Sequence, residues 1–475
     1  MLDIRIDGEP ADLTPGSSLT LERFNPLLDF ESIQGSRVYG FDLPDTPTNR
    51  RLLGYFYQDQ VGYQARKFRC EKYLHGYLIE QGFVMIHEVK ATGFSLYFTQ
   101  NLGEIFGDSQ KLLLSQLGLG LDPAPAAPVA AANHLTDRYC FPTIQNDGFY
   151  GNQGVSGFNG LVNEYASGAY NATARVPMPF LNWVFSKFSA LAGWSFVGQF
   201  WQDPDLSRLI FYNLFSLDGQ AGAPAADINS NNHLPDLTLP NLLIDLRKLF
   251  NLYLEFDIRR NTCTMDFGDD VLATNEVVDW TDKTQPDHVK TPELANRLEL
   301  SYVLDGNDGL LKPIPASMEK YATAETTANA GGTLVPIQAR LSTLLTDTVT
   351  GRAVTRQPGL SVNNKDNQNR PTPKLLFWNG VVDGEPRASN AQGSRSLLWH
   401  GPNNLVDTGY RRFESFKGDT FSTTKLVYLS PVDLALFSFR RKVHIRGVNY
   451  VVGSMKAALG DQRQGIPTEV QLWRV

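Results

Sequence analysis

Lys72-Tyr-Leu-His-Gly-Tyr-Leu-Ile-Glu-Gln-Gly-Phe-Val-Met-Ile86 and Val443-His-Ile-Arg-Gly-Val-Asn-Tyr-Val-Val-Gly-Ser-Met-Lys-Ala457 carry one pattern near opposite ends of the chain. In each, a strand-like run meets a glycine (Gly76, Gly447), and a second glycine (Gly82, Gly453) follows six residues later. Past a turn-rich gap, each copy leads into another apolar-rich strand, Ser95–Phe98 and Glu469–Trp473. Two similar β-units bracketing unrelated sequence predict an architecture of two small barrels, not one large enzyme core.

The composition supports that reading. A chain of 475 residues is too long for one ordinary domain. Forty glycines and 27 prolines, with 11% aromatic residues, favour strands and turns over a helical bundle. The 43 basic residues are outnumbered by 50 acidic ones and form no long run, which argues against wrapping nucleic acid. Cys70, Cys140 and Cys263 are widely spaced without a CxxC pair, so neither a disulfide scaffold nor a zinc knuckle is expected. The amino-terminal residues alternate like a strand and do not read as a signal peptide. No apolar run is long enough to predict a transmembrane helix.

The expected fold class is mainly β with an α+β middle domain, multi-domain, with small β-barrel modules near the N- and C-termini. Residues 1–107 read as the first module, with a strand over Arg37–Leu43 stopping at Pro44 and a short helix over Asn49–Tyr57. Residues 108–176 read as a Pro/Ala linker followed by a Gly/Asn-rich insertion, in which Gly148–Tyr170 looks like an exposed loop region. Residues 177–284 read as the α+β domain. Leu181, Val184, Phe185, Phe188 and Leu191 recur at helical steps, a second helix follows Pro240, and a hairpin spans Leu252–Phe267. Residues 285–475 read as the second module, with strands at Arg297–Leu304, Lys374–Trp378, Ser396–Trp399 and Lys425–Leu429. The polar stretch at about 320–372 reads as an excursion from its sheet.

Motifs that would carry chemistry are absent: no Walker loop, dinucleotide fingerprint, HExxH helix or GxSxG elbow. His75, His87, His134, His233, His288, His400 and His444 are isolated and read as structural or surface residues. Asp305-Gly-Asn-Asp-Gly-Leu310 begins like a calcium loop. Gly309, Leu310 and Ala316 occupy its fifth, sixth and twelfth positions, so an Asx-rich turn is the better reading. Asp266 with Asp269 and Asp270, and Asp279 with Asp282, supply the carboxylate pairs a glycosidase needs, but turn and strand-end aspartates are far commoner. Trp194, Phe196, Phe200 and Trp201 could stack sugars and more simply fill a core. The expectation is therefore no enzyme, with no catalytic, cofactor-binding or metal-binding residues and no cofactor.

Three segments carry a resemblance to a known family. Gly35-Ser-Arg-Val-Tyr-Gly-Phe-Asp-Leu-Pro-Asp-Thr-Pro-Thr-Asn-Arg50 resembles the opening of tail structural proteins from phages and prophages of the Bacteroidetes type. Val278-Asp-Trp-Thr-Asp-Lys283, after Asp269-Asp-Val-Leu272, is similar to a segment of the same group. The ending, from Leu429-Ser-Pro-Val-Asp-Leu434 through Ile445-Arg-Gly-Val-Asn-Tyr450 to Leu472-Trp473, resembles the last barrel of baseplate hub proteins. Residues 108–175 and 320–372 lie outside the resemblance.

The resemblance implies an assembly role. A trimer of two-barrel subunits would adapt a six-fold tail tube to a trimeric spike and line a central channel, with DNA only as transient cargo. The implied partners are the tube protein, a spike or tail-tip protein and other baseplate proteins. The implied location is the tail baseplate or tip of a virion, assembled in the host cytoplasm. The alternatives are a hexameric distal tail protein that mounts receptor-binding proteins, and a secreted glycan-active enzyme or carbohydrate-binding protein. On the channel reading, Gly76→Val or Gly447→Val is expected to impair ring assembly more than folding.

Overall fold

Turn chemistry and alternation account for the first module. The computed structural model describes residues 1–33, 39–62, 66–99, 110–125, 127–151, 154–218, 225–327, 329–361, 370–460 and 465–475; for 39, 287 and 288 it describes the backbone alone. Strands β1 (Leu2–Ile6), β2 (Leu19–Phe24) and β3 (Tyr39–Pro44) precede helix α1 (Pro47–Leu52), and β4 (Phe68–Leu74), β5 (Tyr77–Lys90) and β6 (Gly93–Thr99) follow it. Thr46 caps α1 by accepting from the Asn49 amide, and Pro47 occupies its first turn. The helix is shorter than the expected Asn49–Tyr57 because Gly54 and Tyr55 both adopt positive φ (70° and 57°). Residues 37 and 38 of the expected strand lie outside the described residues. The sheet runs β1-β4-β5-β6-β3, with the two-residue strand Glu9–Pro10 beyond β1.

Helical periodicity shapes the middle of the chain. Helix α2 (Leu181–Ala192) buries Leu181, Val184, Phe185 and Phe188 and ends on left-handed Gly193. Leu191, expected on that buried face, is 58% exposed because the last turn runs past the core. Strand β7 (Leu209–Tyr212) precedes helix α3 (Leu239–Phe250), capped by Thr238, which buries Leu242, Leu243, Leu246, Leu249 and Phe250. The β8 (Leu252–Asp257) and β9 (Thr262–Phe267) hairpin leads into helix α4 (Gly268–Ala273).

The insertion is better packed than its composition suggests. Phe149 and Tyr150, read as part of an exposed loop, are buried. The Tyr150 hydroxyl donates to Asp218 (3.0 Å) and accepts from the Ala174 amide (2.8 Å). Aromatic burial outweighs the local glycine content here; residues 152–153 lie outside the described residues.

The last third holds β10 (Val277–Asp279), β11 (Thr284–Pro292), β12 (Arg297–Tyr302), β13 (Leu334–Ala339), β14 (Lys374–Val382), helix α5 (Arg411–Gly418), β15 (Phe421–Leu429), helix α6 (Pro431–Ala435), β16 (Lys442–Ile445), β17 (Val448–Leu459) and β18 (Ile466–Arg474). Within the polar 320–372 stretch, β13 pairs parallel with β12 and buries Ile337 and Ala339. Of the expected Ser396–Trp399 strand only Ser396 is extended in a ladder, in the two-residue strand Arg395–Ser396; Leu397 and Trp399 are nevertheless buried in the main core. The terminal sheet runs β10-β16-β17-β18-β15-β11.

The two end modules are fused. β2 takes no place in the first sheet and instead pairs antiparallel with β17, Leu19 opposite Leu459. One hydrophobic core then joins both sheets, with Ile4, Leu74 and Val84 from the first and Val427, Val452 and Leu472 from the second. Arg23 on β2 donates to the carbonyl of Ile79 on β5 and to that of Leu434 on α6 (2.8 Å). We expect Arg23→Met to cost about 2–3 kcal/mol, because two carbonyl partners of a charged donor are lost inside the protein. Urea unfolding of wild type and variant checks this; an unchanged midpoint would show that Arg23 does not bind the modules together.

Candidate assembly surface

The paired glycines mark a duplicated structural unit. In chain order, β3, α1, β4, β5 and β6 correspond to β15, α6, β16, β17 and β18. Their sheets run in the same order, β4-β5-β6-β3 and β16-β17-β18-β15. Both short helices start after a hydroxyl cap and a proline, Thr46-Pro47 and Ser430-Pro431.

The first glycines have one job in both copies. His75 and Gly76 take φ of 52° and 84°, and Arg446 and Gly447 take 48° and 85°. Two consecutive positive-φ residues make the two-residue hairpin turn whose twist matches the flanking strands. In the second copy His444 braces the turn: its Nε2 accepts from the Gly447 amide (3.1 Å), and its Nδ1 lies 2.8 Å from Asn449 Oδ1.

The second glycines have another. A Cβ on Gly82 would lie 2.5 Å from the Thr99 carbonyl oxygen and 2.8 Å from the Phe98 ring. A Cβ on Gly453 would lie 2.5 Å from Trp473 Nε1 and 2.8 Å from its Cδ1. In each copy the absent side chain is replaced by an aromatic ring from the next-to-last residue of the third strand.

The copies differ inside. The first holds a buried ion pair, Lys72 to Glu80 at 2.8 Å with both side chains at most 3% exposed. The Lys72 ammonium lies 3.3 Å from the Phe98 ring centroid. Burial pushes the neighbouring Cys70 thiol up to about 12, so it is inert at neutral pH.

The residues considered for chemistry are held in structural roles. Asp269 accepts the Arg412 and Phe413 amides (2.8 and 2.9 Å), capping the start of α5, and burial raises its carboxyl pKa. Asp266 pairs with Arg440 at 2.7 Å, and Asp270 accepts from Gln199 at 3.0 Å. Asp279 accepts the Thr281 amide at 2.8 Å, while Asp282 is exposed in the adjoining turn. Trp194 and Phe200 are core residues, with Phe196 and Trp201 packed against them.

Asp305 meets a different cation from the one its loop suggested. It takes the Lys374 ammonium at 2.8 Å, with side chains 3% and 0% exposed, and accepts from Gln357 at 2.7 Å. Burial pushes this carboxyl up, but the Lys374 charge and hydrogen bond, with the Asn307 amide and Gln357, hold it at about 2. His233 is buried against Asn213 and lowered to about 3, by burial first and Arg370 second. Burial also lowers His134; the His87 ring lies tilted beside Tyr97 (4.4 Å) and that of His400 beside Tyr321 (6.2 Å). Among the described residues, no three His, Cys, Asp or Glu side chains group to hold a metal. Among them also, no helix is long and apolar enough to cross a membrane.

Each of the two sheets has an outer edge among the described residues. Strands β3 and β11 are the outermost of their sheets at corresponding ends. Nothing in local sequence signalled this, because an edge is defined by strand order.

No protein-family model matches the chain, and no curated protein matches it. Among solved structures, it is similar to the 43 kDa tail protein of prophage MuSo2 from Shewanella oneidensis (8% identity, TM-score 0.38, covering 99% of this chain and 97% of that one). It is also similar to a tail protein from Neisseria meningitidis MC58 (11% identity, TM-score 0.38, 99% and 95%). A third is a Francisella PdpA-VgrG complex (8% identity, TM-score 0.34, 100% of this chain and 57% of that one).

Proposed function

We propose that the chain is the hub of a phage tail or a related injection particle. Three copies form a ring that adapts a six-fold tube to a trimeric spike around a central channel. The observation that supports this is the duplication: one chain carries two units of the same strand order, fused by one core. Three such chains present six related units, the number a six-fold tube requires, while leaving a three-fold face for a spike. The intervening helices and insertion distinguish the two units and supply contacts to other baseplate proteins. The role is structural. The carboxylates that a glycan-cleaving reading would use cap a helix, pair with arginine, accept from Gln199 or border a turn.

Mass measurement of the purified chain, and copy number in the assembled particle, test this reading. The expected result is three copies. A six-copy ring would replace it with the hexameric distal tail protein, and a stable monomer in the particle would overturn both.

A further inference from the structure

The duplicated units are unequal at one edge. In the second, the outer side of β15 is covered by β11, which pairs antiparallel across Phe421–Val427. In the first, the corresponding strand β3 has β6 as its one strand partner among the described residues, and its last carbonyl, Pro44, accepts from the Asn49 side chain (2.8 Å) and the Thr46 amide (3.0 Å). The correspondence is fixed by the aromatics that fill the second glycines: Tyr39 lies opposite Phe98 as Ser422 lies opposite Trp473. Tyr39–Pro44 therefore matches the stretch of β15 that β11 covers. At the other end of each unit the edges are both filled, β4 by β1 and β16 by β10.

An open strand edge is a row of amides and carbonyls able to take another strand. We propose that β3 receives the outer edge of β11 from a second copy of this chain, antiparallel, so that the first sheet of one subunit continues into the second sheet of its neighbour. Strand β11 is itself outermost, with Val289 67% exposed. Asp42 is exposed on β3 and Lys290 on β11, whose sequence also carries Asp287. Opposite charges on facing strands favour the pairing, and like charges oppose it. A donor edge and an acceptor edge on different parts of the chain make a head-to-tail contact, which closes into a ring when the rotation allows. This assignment rests on the trimeric hub reading and names the strands that join its subunits.

Paired cysteines test it. Cys70, Cys140 and Cys263 are all buried and do not compete for a thiol reagent. The chain carrying both Asp42→Cys and Lys290→Cys, treated with a short bismaleimide, is expected to give covalent two- and three-chain species. Either single variant is expected to lose them. If light scattering finds a trimer that the double variant does not link, the subunits join elsewhere and the hub reading survives alone. If the single variants link as well as the double, the β3-to-β11 pairing is wrong. A chain that stays monomeric overturns the pairing and the trimer together.

Discussion

Lys374→Met lowers the stability of the folded chain by about 3–5 kcal/mol, the cost of stranding one member of a buried ion pair. Asp305 is left 3% exposed, keeping its Gln357 and Thr372 hydrogen bonds but losing its cation. Urea unfolding at pH 7 measures the loss. Adding Asp305→Asn to Lys374→Met is expected to recover a large part of it, because the buried charge itself is removed. A double variant as unstable as the single would place the defect in packing instead. The pH dependence gives a second readout. In the wild type Asp305 titrates at about 2, below its ordinary value of 3.8. Its stabilising contribution is present above pH 4 and lost as pH falls toward 2. Without Lys374 burial acts unopposed by that charge, and the carboxyl favours its neutral form. The deficit of Lys374→Met therefore shrinks as the pH is lowered from 7 toward 4.

Valine at the second glycines, Gly82→Val and Gly453→Val, is expected to destabilise each unit by about 3 kcal/mol, at the upper end of overpacking costs. A new side chain at either position overlaps a ring, and at Gly82 a backbone carbonyl as well. Gly76→Val and Gly447→Val cost less, about 1–2 kcal/mol, through left-handed backbone strain alone, since nothing lies within 4 Å of the added Cβ. The conformation of the first glycines belongs to the hairpin itself, so part of any effect of these variants on ring assembly passes through folding. Coupling separates the two mechanisms. Trp473→Leu relieves part of the Gly453→Val penalty and none of the Gly447→Val penalty. Equal additivity in both pairs would contradict the steric account.

The paired glycines were legible in sequence because turns and close approaches leave local marks. The same holds for α2 and α3, whose apolar residues repeat with the helical period and whose ends carry Gly193 and Thr238. Other features had no local mark. Asp305 and Lys374 form an ion pair across 69 residues, and each alone reads as a turn or the start of a strand. Gly148–Tyr170 looked loose by composition, yet Phe149 and Tyr150 are anchored by contacts with distant segments. Nothing local to Leu19–Phe24 marks its strand partner as β17 of the terminal sheet. The outer position of β3 among the described residues has no local mark either, because it is set by strand order.

The pairing of β2 with β17 also orders events in time. Leu19 meets Leu459 about 440 residues later in synthesis. At about 5–20 residues per second, β2 emerges on the order of 20–90 s before its partner exists. Through that interval β2 has no strand partner, and the core that the first sheet shares with the terminal sheet is incomplete. Any chain truncated before β17 leaves β2 without its strand partner, an exposed edge of the kind that aggregates.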